Sequence, residues 1–229
     1  MRKLSVSMTT TEKYLGWIYG ALQLLVIPVV LSLLLPYVWP NASEAQFNFV
    51  FFVLNFVCLT VIMHRFLGEN AKIAWQKPFR TLRYAIGGYA FFWISTVIIS
   101  TVTAHFMPSF SNVNDASIME MAADDYTLTA IGTVLLAPMA EELIYRGVFF
   151  DSLHHRSPAL AFIFSTFVFS AIHVVGYIGL YDPLTLVLCF IQYIPAGLCL
   201  GWTYARSGTI WAPILAHMAI NQTSILAMR

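Results

Sequence analysis

Residues 127–153 read TLTAIGTVLLAPMAEELIYRGVFFDSL, an apolar stretch of membrane-spanning length that carries two adjacent carboxylates and a guanidinium near its middle. A helix crosses the hydrocarbon layer of a bilayer, about 30 Å thick, with about 20 apolar residues. Charged groups are costly at the centre of a bilayer, so acids and bases inside such a helix indicate function by default. This stretch therefore predicts a membrane helix with a functional polar centre.

The composition of the whole chain agrees with a lipid environment. Of its 229 residues, 59% are hydrophobic and only 10% are charged, and the mean hydropathy is +0.74. Soluble domains carry about 25% charged residues, which is far more. The 12 basic and 11 acidic side chains give a net charge of +1, so we expect no nucleic-acid partner. We expect an integral, multi-pass protein whose main surroundings are membrane lipid.

The hydropathy pattern predicts an all-α fold, a polytopic membrane helical bundle of about seven transmembrane helices. The apolar runs cover residues 14–38, 47–63, 84–105, 127–153, 159–180, 184–205 and 209–228. Because the loops between them are too short for a second domain, we expect a single membrane domain, 1–229. A proline inside a span, such as Pro138, removes a backbone hydrogen bond and leaves a carbonyl free to face a cavity.

The positions of lysine and arginine predict a cytoplasmic N-terminus, because cytoplasmic segments retain positive charge. With this orientation only Arg229 lies in an outer segment. The bases in inner segments are Arg2, Lys3, Lys13, Arg65, Lys72, Lys77, Arg80, Arg83, Arg156 and Arg206. Segment 64–83 is expected to be the main cytoplasmic loop.

Helical spacing assigns different roles to the two adjacent glutamates. Glu142 and Arg146 are four residues apart with the acid first, the favourable order for an ion pair on one helix face. A structural ion pair and a catalytic role are both open for these two residues. Glu141 lies about 100° around the helix from Glu142, so its carboxylate is free to act as a general base on water.

Two later spans supply further polar side chains. His217 and Asn221 are four residues apart, so they share a helix face and form an edge of two donors that can hold an oxyanion. His173 lies in a separate span at a similar depth. We therefore expect Glu141, His173, His217 and Asn221 to meet in one cavity.

Two chemistries fit this set, and both end in peptide hydrolysis. In one, a zinc ion is bound by His173, His217 and Glu141, the two-histidine, one-carboxylate shell of catalytic zinc. In the other, Glu141 and His173 activate water without a metal, while His217 and Asn221 stabilise the oxyanion. The HExxH helix of common zinc proteases is absent. Both alternatives stay open at this point.

The three polar groups resemble the motifs of the CPBP family, the CAAX-protease and bacteriocin-processing membrane proteins that include the type II CAAX prenyl endopeptidases. Glu141, Glu142 and Arg146 match the first motif, Phe169 and His173 the second, and His217 and Asn221 the third. The resemblance covers roughly residues 127–225. It implies a CPBP-like catalytic core at 127–229, preceded by three variable N-terminal helices in residues 1–126.

The resemblance also implies roles for these residues. The first glutamate and first histidine of the family's motifs activate water, a role that passes to Glu141 and His173. The second histidine and the asparagine support the oxyanion, a role that passes to His217 and Asn221. Family members have been described both as metalloproteases and as metal-independent glutamate proteases, so the resemblance leaves zinc open.

We therefore expect an intramembrane endopeptidase of the bacterial plasma membrane that acts on a small membrane-bound peptide or protein. One alternative is a non-enzymatic immunity or scaffolding protein that binds a peptide in the same cavity. Another is a proton-coupled transporter, which the lack of internal repeats disfavours.

Overall fold

The structure, a computed structural model, describes residues 6–227, which contain ten helices. The helices are α1 (Thr10–Leu25), α2 (Ile27–Val38), α3 (Glu44–Ile62), α4 (His64–Gln76), α5 (Pro78–Phe106), α6 (Val113–Asp124), α7 (Tyr126–His154), α8 (Pro158–Val175), α9 (Pro183–Ser207) and α10 (Trp211–Ala227). The prediction of a cytoplasmic N-terminus used three residues that lie outside the described residues: Arg2, Lys3 and Arg229.

Five helices of the described chain, α3, α5, α7, α8 and α9, are long and apolar enough to cross a membrane. Helices α1 and α2 make a sixth span if they are counted together, and they meet at an angle of 58°. Pro28 lies in the first turn of α2, where it cannot donate the hydrogen bond that would continue α1. The expected polytopic helical membrane protein is confirmed.

The expected number of about seven spans is higher than the five or six found in residues 6–227. The difference comes from the last apolar run, 209–228. Its helix, α10, has 17 residues and rises about 26 Å, which is less than the hydrocarbon thickness of about 30 Å.

Two segments expected to be loops contain helices instead. The expected cytoplasmic loop 64–83 contains α4 and the start of α5. The buried carboxylate of Glu12 accepts a hydrogen bond from the free backbone N–H of Phe66 in the first turn of α4, at 2.7 Å. The connection before α7 contains α6, whose first turn is capped by the side chain of Asn112. Hydropathy alone missed both helices because neither is a long apolar run.

Helix α7 lies at the centre of the bundle. Helix α3 packs on its N-terminal half, α1 and α8 pack on its C-terminal half, and α10 crosses its middle. Helix α5 packs against α9 and α10. Leu143, Ile144, Tyr145 and Val148 of α7 are almost completely buried. The polar residues of this helix are therefore surrounded by protein.

Two π-helical segments, Gly132–Leu136 and Leu143–Phe150, widen α7. In the first, the N–H of Ala137 donates to the carbonyl of Gly132, five residues back. With the same five-residue spacing, the carbonyl of Thr133 would accept from the N–H of residue 138. Residue 138 is a proline and has no N–H, so it cannot provide this bond. A free carbonyl of this kind is what Pro138 predicts.

Helices α8 and α9 approach each other closely at Gly197. A Cβ atom on Gly197 would lie 2.7 Å from Cγ2 of Thr166 and 2.9 Å from its backbone Cα. We therefore expect Gly197→Ala to lower the free energy of unfolding by about 1–3 kcal/mol, because the helices must separate. Thermal unfolding in detergent micelles measures this effect.

Gly68→Ala is the matched control, because nothing lies within 4 Å of the Cβ that it adds to α4. It removes a flexible residue from a helix and should leave the unfolding midpoint unchanged or slightly higher. Equal unfolding midpoints for the two variants would contradict the close contact at Gly197.

Candidate active site

Glu142 and Arg146 form a completely buried ion pair in α7. Nη1 of Arg146 donates to Oε1 of Glu142 at 2.8 Å, and both side chains are 0% exposed. The pair has the geometry that the four-residue spacing predicts. Burying two charges is favourable only when each is paired and hydrogen-bonded, so the surroundings of the pair decide whether it is stable.

Arg146 also connects α7 to the two helices beside it. Its Nη2 donates to the carbonyl of Gly197 at 3.1 Å and is 3.5 Å from that of Ala196, both in α9. Its guanidinium lies over the ring of Phe169 in α8, with Cζ 4.6 Å from the ring centre. One side chain therefore links three helices.

His217 brings α10 to the same carboxylate. Its Nδ1 lies 2.9 Å from Oε1 of Glu142. Because the Glu142 carboxylate bound to Arg146 can only accept, Nδ1 of His217 must be the donor. Its Nε2 consequently faces Glu141, with 4.0 Å between Nε2 and Oε2, too long for a direct hydrogen bond.

Glu141 differs from Glu142 in having no strong partner. Its side chain is 18% exposed, and Oε2 is buried without a hydrogen bond to any described residue. Oε2 of Glu142 and Nε of Arg146 also lack partners within residues 6–227. Buried polar atoms are nearly always paired, so this concentration of unpaired atoms indicates a centre that binds a polar molecule.

His173 in α8 is oriented by its own helix and by α9. Its Nδ1 lies 2.7 Å from the carbonyl of Phe169, and a carbonyl only accepts, so Nδ1 carries the proton. Its Nε2 therefore keeps the lone pair that a base requires. The imidazole stacks on Tyr193 of α9, with 4.1 Å between ring centres and 21° between planes.

Asn221 lies one turn beyond His217 on α10. Its Nδ2 donates to the free carbonyl of Thr133 at 2.8 Å. Only one of its two amide hydrogens is used in this bond, so the other is available to a ligand. The widened turn of α7 therefore orients this amide.

The structure connects the residues singled out in the sequence in three ways. Glu142 binds Arg146 and His217 directly, and Glu141 lies beside His217. His173 joins them through Phe169, whose ring centre is 4.7 Å from that of His173 and 5.8 Å from that of His217. Asn221 is held separately by α7.

The zinc site considered from the sequence, with His173, His217 and Glu141 as ligands, stays a prediction. Within residues 6–227, no group of three or more histidine, cysteine, aspartate or glutamate side chains is arranged to hold a metal ion. His217 and His173 both direct Nδ1 to a protein acceptor, which leaves Nε2 of each ring without that bond, and 4.0 Å separates Nε2 of His217 from Oε2 of Glu141. We therefore assign no step of the reaction to a metal.

Three groups outside the set of predicted site residues hold the site. The carbonyls of Thr133 and Gly197 each accept a side-chain hydrogen bond, and Tyr193 supports His173. Pro138 was the signal for the first carbonyl. The contacts of Gly197 and Tyr193 depend on how the helices pack, which no spacing in the sequence encodes.

Comparisons with known proteins find a family that the segment carrying this site resembles. Residues 123–223, which include all six site residues, match the model of the family described as Type II CAAX prenyl endopeptidase Rce1-like. The match confirms the resemblance that the three motifs predict, because this segment is similar to the Type II CAAX prenyl endopeptidase Rce1-like family.

One similar curated protein is "Putative membrane peptidase YdiL" of Bacillus subtilis (strain 168), which is 30% identical over 95 residues. The matched region is 41% of this chain and 34% of the relative, so the chain spans about a third of the relative's length. No solved structure matches the chain.

The buried ion pair generates a prediction about stability. Arg146→Met should lower the free energy of unfolding by about 3–5 kcal/mol, because it leaves the Glu142 carboxylate buried without its counter-charge. Arg65→Met, at an exposed position of α4, is the control and should change it by less than about 0.5 kcal/mol. Denaturant unfolding in micelles is the measurement. Similar values for both variants would show that the pair does not support the fold.

Proposed function

We propose that this protein is an intramembrane endopeptidase that hydrolyses a peptide bond in a small membrane-associated peptide or protein. The observation that carries the proposal is the different environment of two adjacent carboxylates. Glu142 is bound by Arg146 and His217, whereas Oε2 of Glu141 is buried and unpaired beside His217. The match of residues 123–223 to a family of endopeptidases supports the same reaction class.

In this mechanism Glu141 and His173 activate the attacking water. The carboxylate of Glu141 takes one proton of the water as the water oxygen bonds to the carbonyl carbon, while the free Nε2 of His173 accepts a hydrogen bond from the other O–H of that water. The carbon–nitrogen bond of the tetrahedral intermediate then breaks, and the proton passes to the leaving amine. The products are a new carboxyl terminus and a new amino terminus, with one water consumed.

His217 and Asn221 stabilise the negative oxygen of the intermediate. The second amide hydrogen of Asn221 is available as a donor, and Nε2 of His217 is a donor when the imidazole is protonated. Fixed donors are effective because they are already oriented when the charge develops. Glu142 and Arg146 act on the reaction through His217, whose Nδ1 they hold in place.

We further propose that the protein lies in a bacterial plasma membrane with its N-terminus in the cytoplasm and α10 as a seventh, short span. In this arrangement residues 127–229 form the catalytic core, and helices of residues 1–126 support it. The contacts of α3 with α7, and of α5 with α9 and α10, support this division. The bacterial origin of the similar protein supports the location.

Replacing the general base should abolish proteolysis without unfolding the protein. Glu141→Gln keeps the size of the side chain but removes the basic carboxylate, so we expect turnover to fall by about 10²–10⁴-fold. Glu120→Gln, at an exposed position of α6, is the matched control. The measurement compares the membrane peptides of matched cells that express wild type or either variant, by mass spectrometry.

A set of peptide termini present with wild type and Glu120→Gln, but absent with Glu141→Gln, is the expected result. Equal termini in all three would overturn the role of Glu141. No termini specific to any of them, at equal abundance and correct insertion, would favour a protein that binds a peptide without cleaving it. With purified protein, metal chelation should leave cleavage unchanged if Glu141 and His173 suffice.

A further inference from the structure

We infer that Tyr193 is a positioning residue for His173 and that helix α6 holds Tyr193 in place. The inference rests on the proposed function, because it assigns a role in orienting the histidine that activates water. None of the three sequence motifs includes Tyr193 or a residue of α6.

The first step of the argument is the orientation of His173. The imidazole is attached to α8 by two torsions, and the bond from Nδ1 to the carbonyl of Phe169 fixes only one edge of the ring. The stacked ring of Tyr193, 4.1 Å away and 21° from parallel, restricts rotation about this bond. Together the two contacts define where Nε2 points.

The second step is that Tyr193 is itself fixed by polar contacts. Its hydroxyl accepts a hydrogen bond from Nδ2 of Asn114 at 2.8 Å and donates one to Oδ1 of Asp115 at 3.1 Å. The neighbouring Gln192 accepts from Nδ2 of Asn112 at 2.8 Å. The first turn of α6 thus binds two adjacent residues of α9.

The third step is that α6 reaches the site from outside the spans. Its other end is held by α3, where Met121 is buried and Nδ2 of Asn48 lies 2.9 Å from its sulfur. Helix α6 therefore bridges α3 and α9, and it contacts α7 and α8 as well. A displacement of its first turn would release the Tyr193 hydroxyl and allow the imidazole to rotate.

Helix packing does not require this arrangement. Helices α8 and α9 are already in close contact at Gly197 and Thr166, and Arg146 binds two carbonyls of α9. An apolar side chain at residue 193 would fill the same volume without two polar partners from another helix. The geometry therefore points to alignment of His173 as the purpose of the phenol.

The test measures kcat and KM of purified protein in proteoliposomes, with a peptide whose cleavage depends on Glu141. Tyr193→Phe keeps the stack but loses both hydrogen bonds, and we expect kcat to fall by about 3–10-fold. Tyr193→Leu also loses the stack, and we expect about 30–100-fold, with KM changed by less than about 3-fold. Tyr37→Leu, at a position 87% exposed on α2, is the control and should match wild type.

A second variant keeps the test decisive if Tyr193→Leu does not fold. Asn114→Ala leaves the stack intact and loosens the hydroxyl, so it should lower kcat by about 3–10-fold. Glu120→Ala, at an exposed position near the other end of α6, is its control. The pH profile of kcat separates positioning from stability, because a misplaced base changes the limb on which His173 titrates, whereas partial unfolding scales the whole curve.

The outcomes distinguish this inference from the function on which it rests. If wild type cleaves, Glu141→Gln does not, and the Tyr193 and Asn114 variants match wild type, the positioning role is wrong and the protease assignment stands. The positioning role is also wrong if kcat of these variants falls only in proportion to the amount of folded protein and the pH profile of kcat keeps its shape. If wild type cleaves no peptide, both proposals fail.

Discussion

The buried ion pair between Glu142 and Arg146 is the interaction on which the rest of the site depends. A charge removed from water must be paired and hydrogen-bonded, and here the partners come from several helices. The guanidinium binds carbonyls of α9 and lies over Phe169 of α8, while the carboxylate binds His217 of α10. Satisfying these two charges therefore brings His217, and through Phe169 also His173, to α7. Glu141, one residue before the pair, is left beside them without a counter-charge.

The backbone of α7 contributes in the same way. Carbonyls of its π-helical segments accept hydrogen bonds from side chains of neighbouring helices, and Pro138 has no N–H to donate to the carbonyl of Thr133. Asn221 donates to Thr133, and the hydroxyl of Ser165 donates to the carbonyl of Tyr145 at 3.0 Å. In a membrane each polar backbone group must find a partner within the protein. These two bonds thus tie α8 and α10 to the backbone of α7.

Much of this arrangement could be predicted from the sequence, because helical periodicity is a local property. The spacing of Glu142 and Arg146 predicts their pair, and Pro138 predicts a free carbonyl. The order of the three motifs indicated the family that the comparison confirms. Contacts between helices, such as the bond from His217 to Glu142 and the stack of His173 on Tyr193, depend on three-dimensional packing and were not predictable. Helices α4 and α6 were not predicted either, because neither is a long apolar run. The expected number of spans exceeds the five or six found in residues 6–227, because apolar length does not reveal the bend between α1 and α2 or that the described part of α10 is shorter than the hydrocarbon layer.

The central claim is that two adjacent glutamates have separate tasks, one structural and one reactive. The most direct test is the thermal unfolding midpoint of Glu142→Gln beside that of Glu141→Gln, in the same micelles. The account predicts a large decrease for Glu142→Gln, which leaves the Arg146 guanidinium without its counter-charge. It predicts an unchanged or higher midpoint for Glu141→Gln, which neutralises an unpaired buried carboxylate. Equal decreases in the two variants, or a decrease confined to Glu141→Gln, would contradict it.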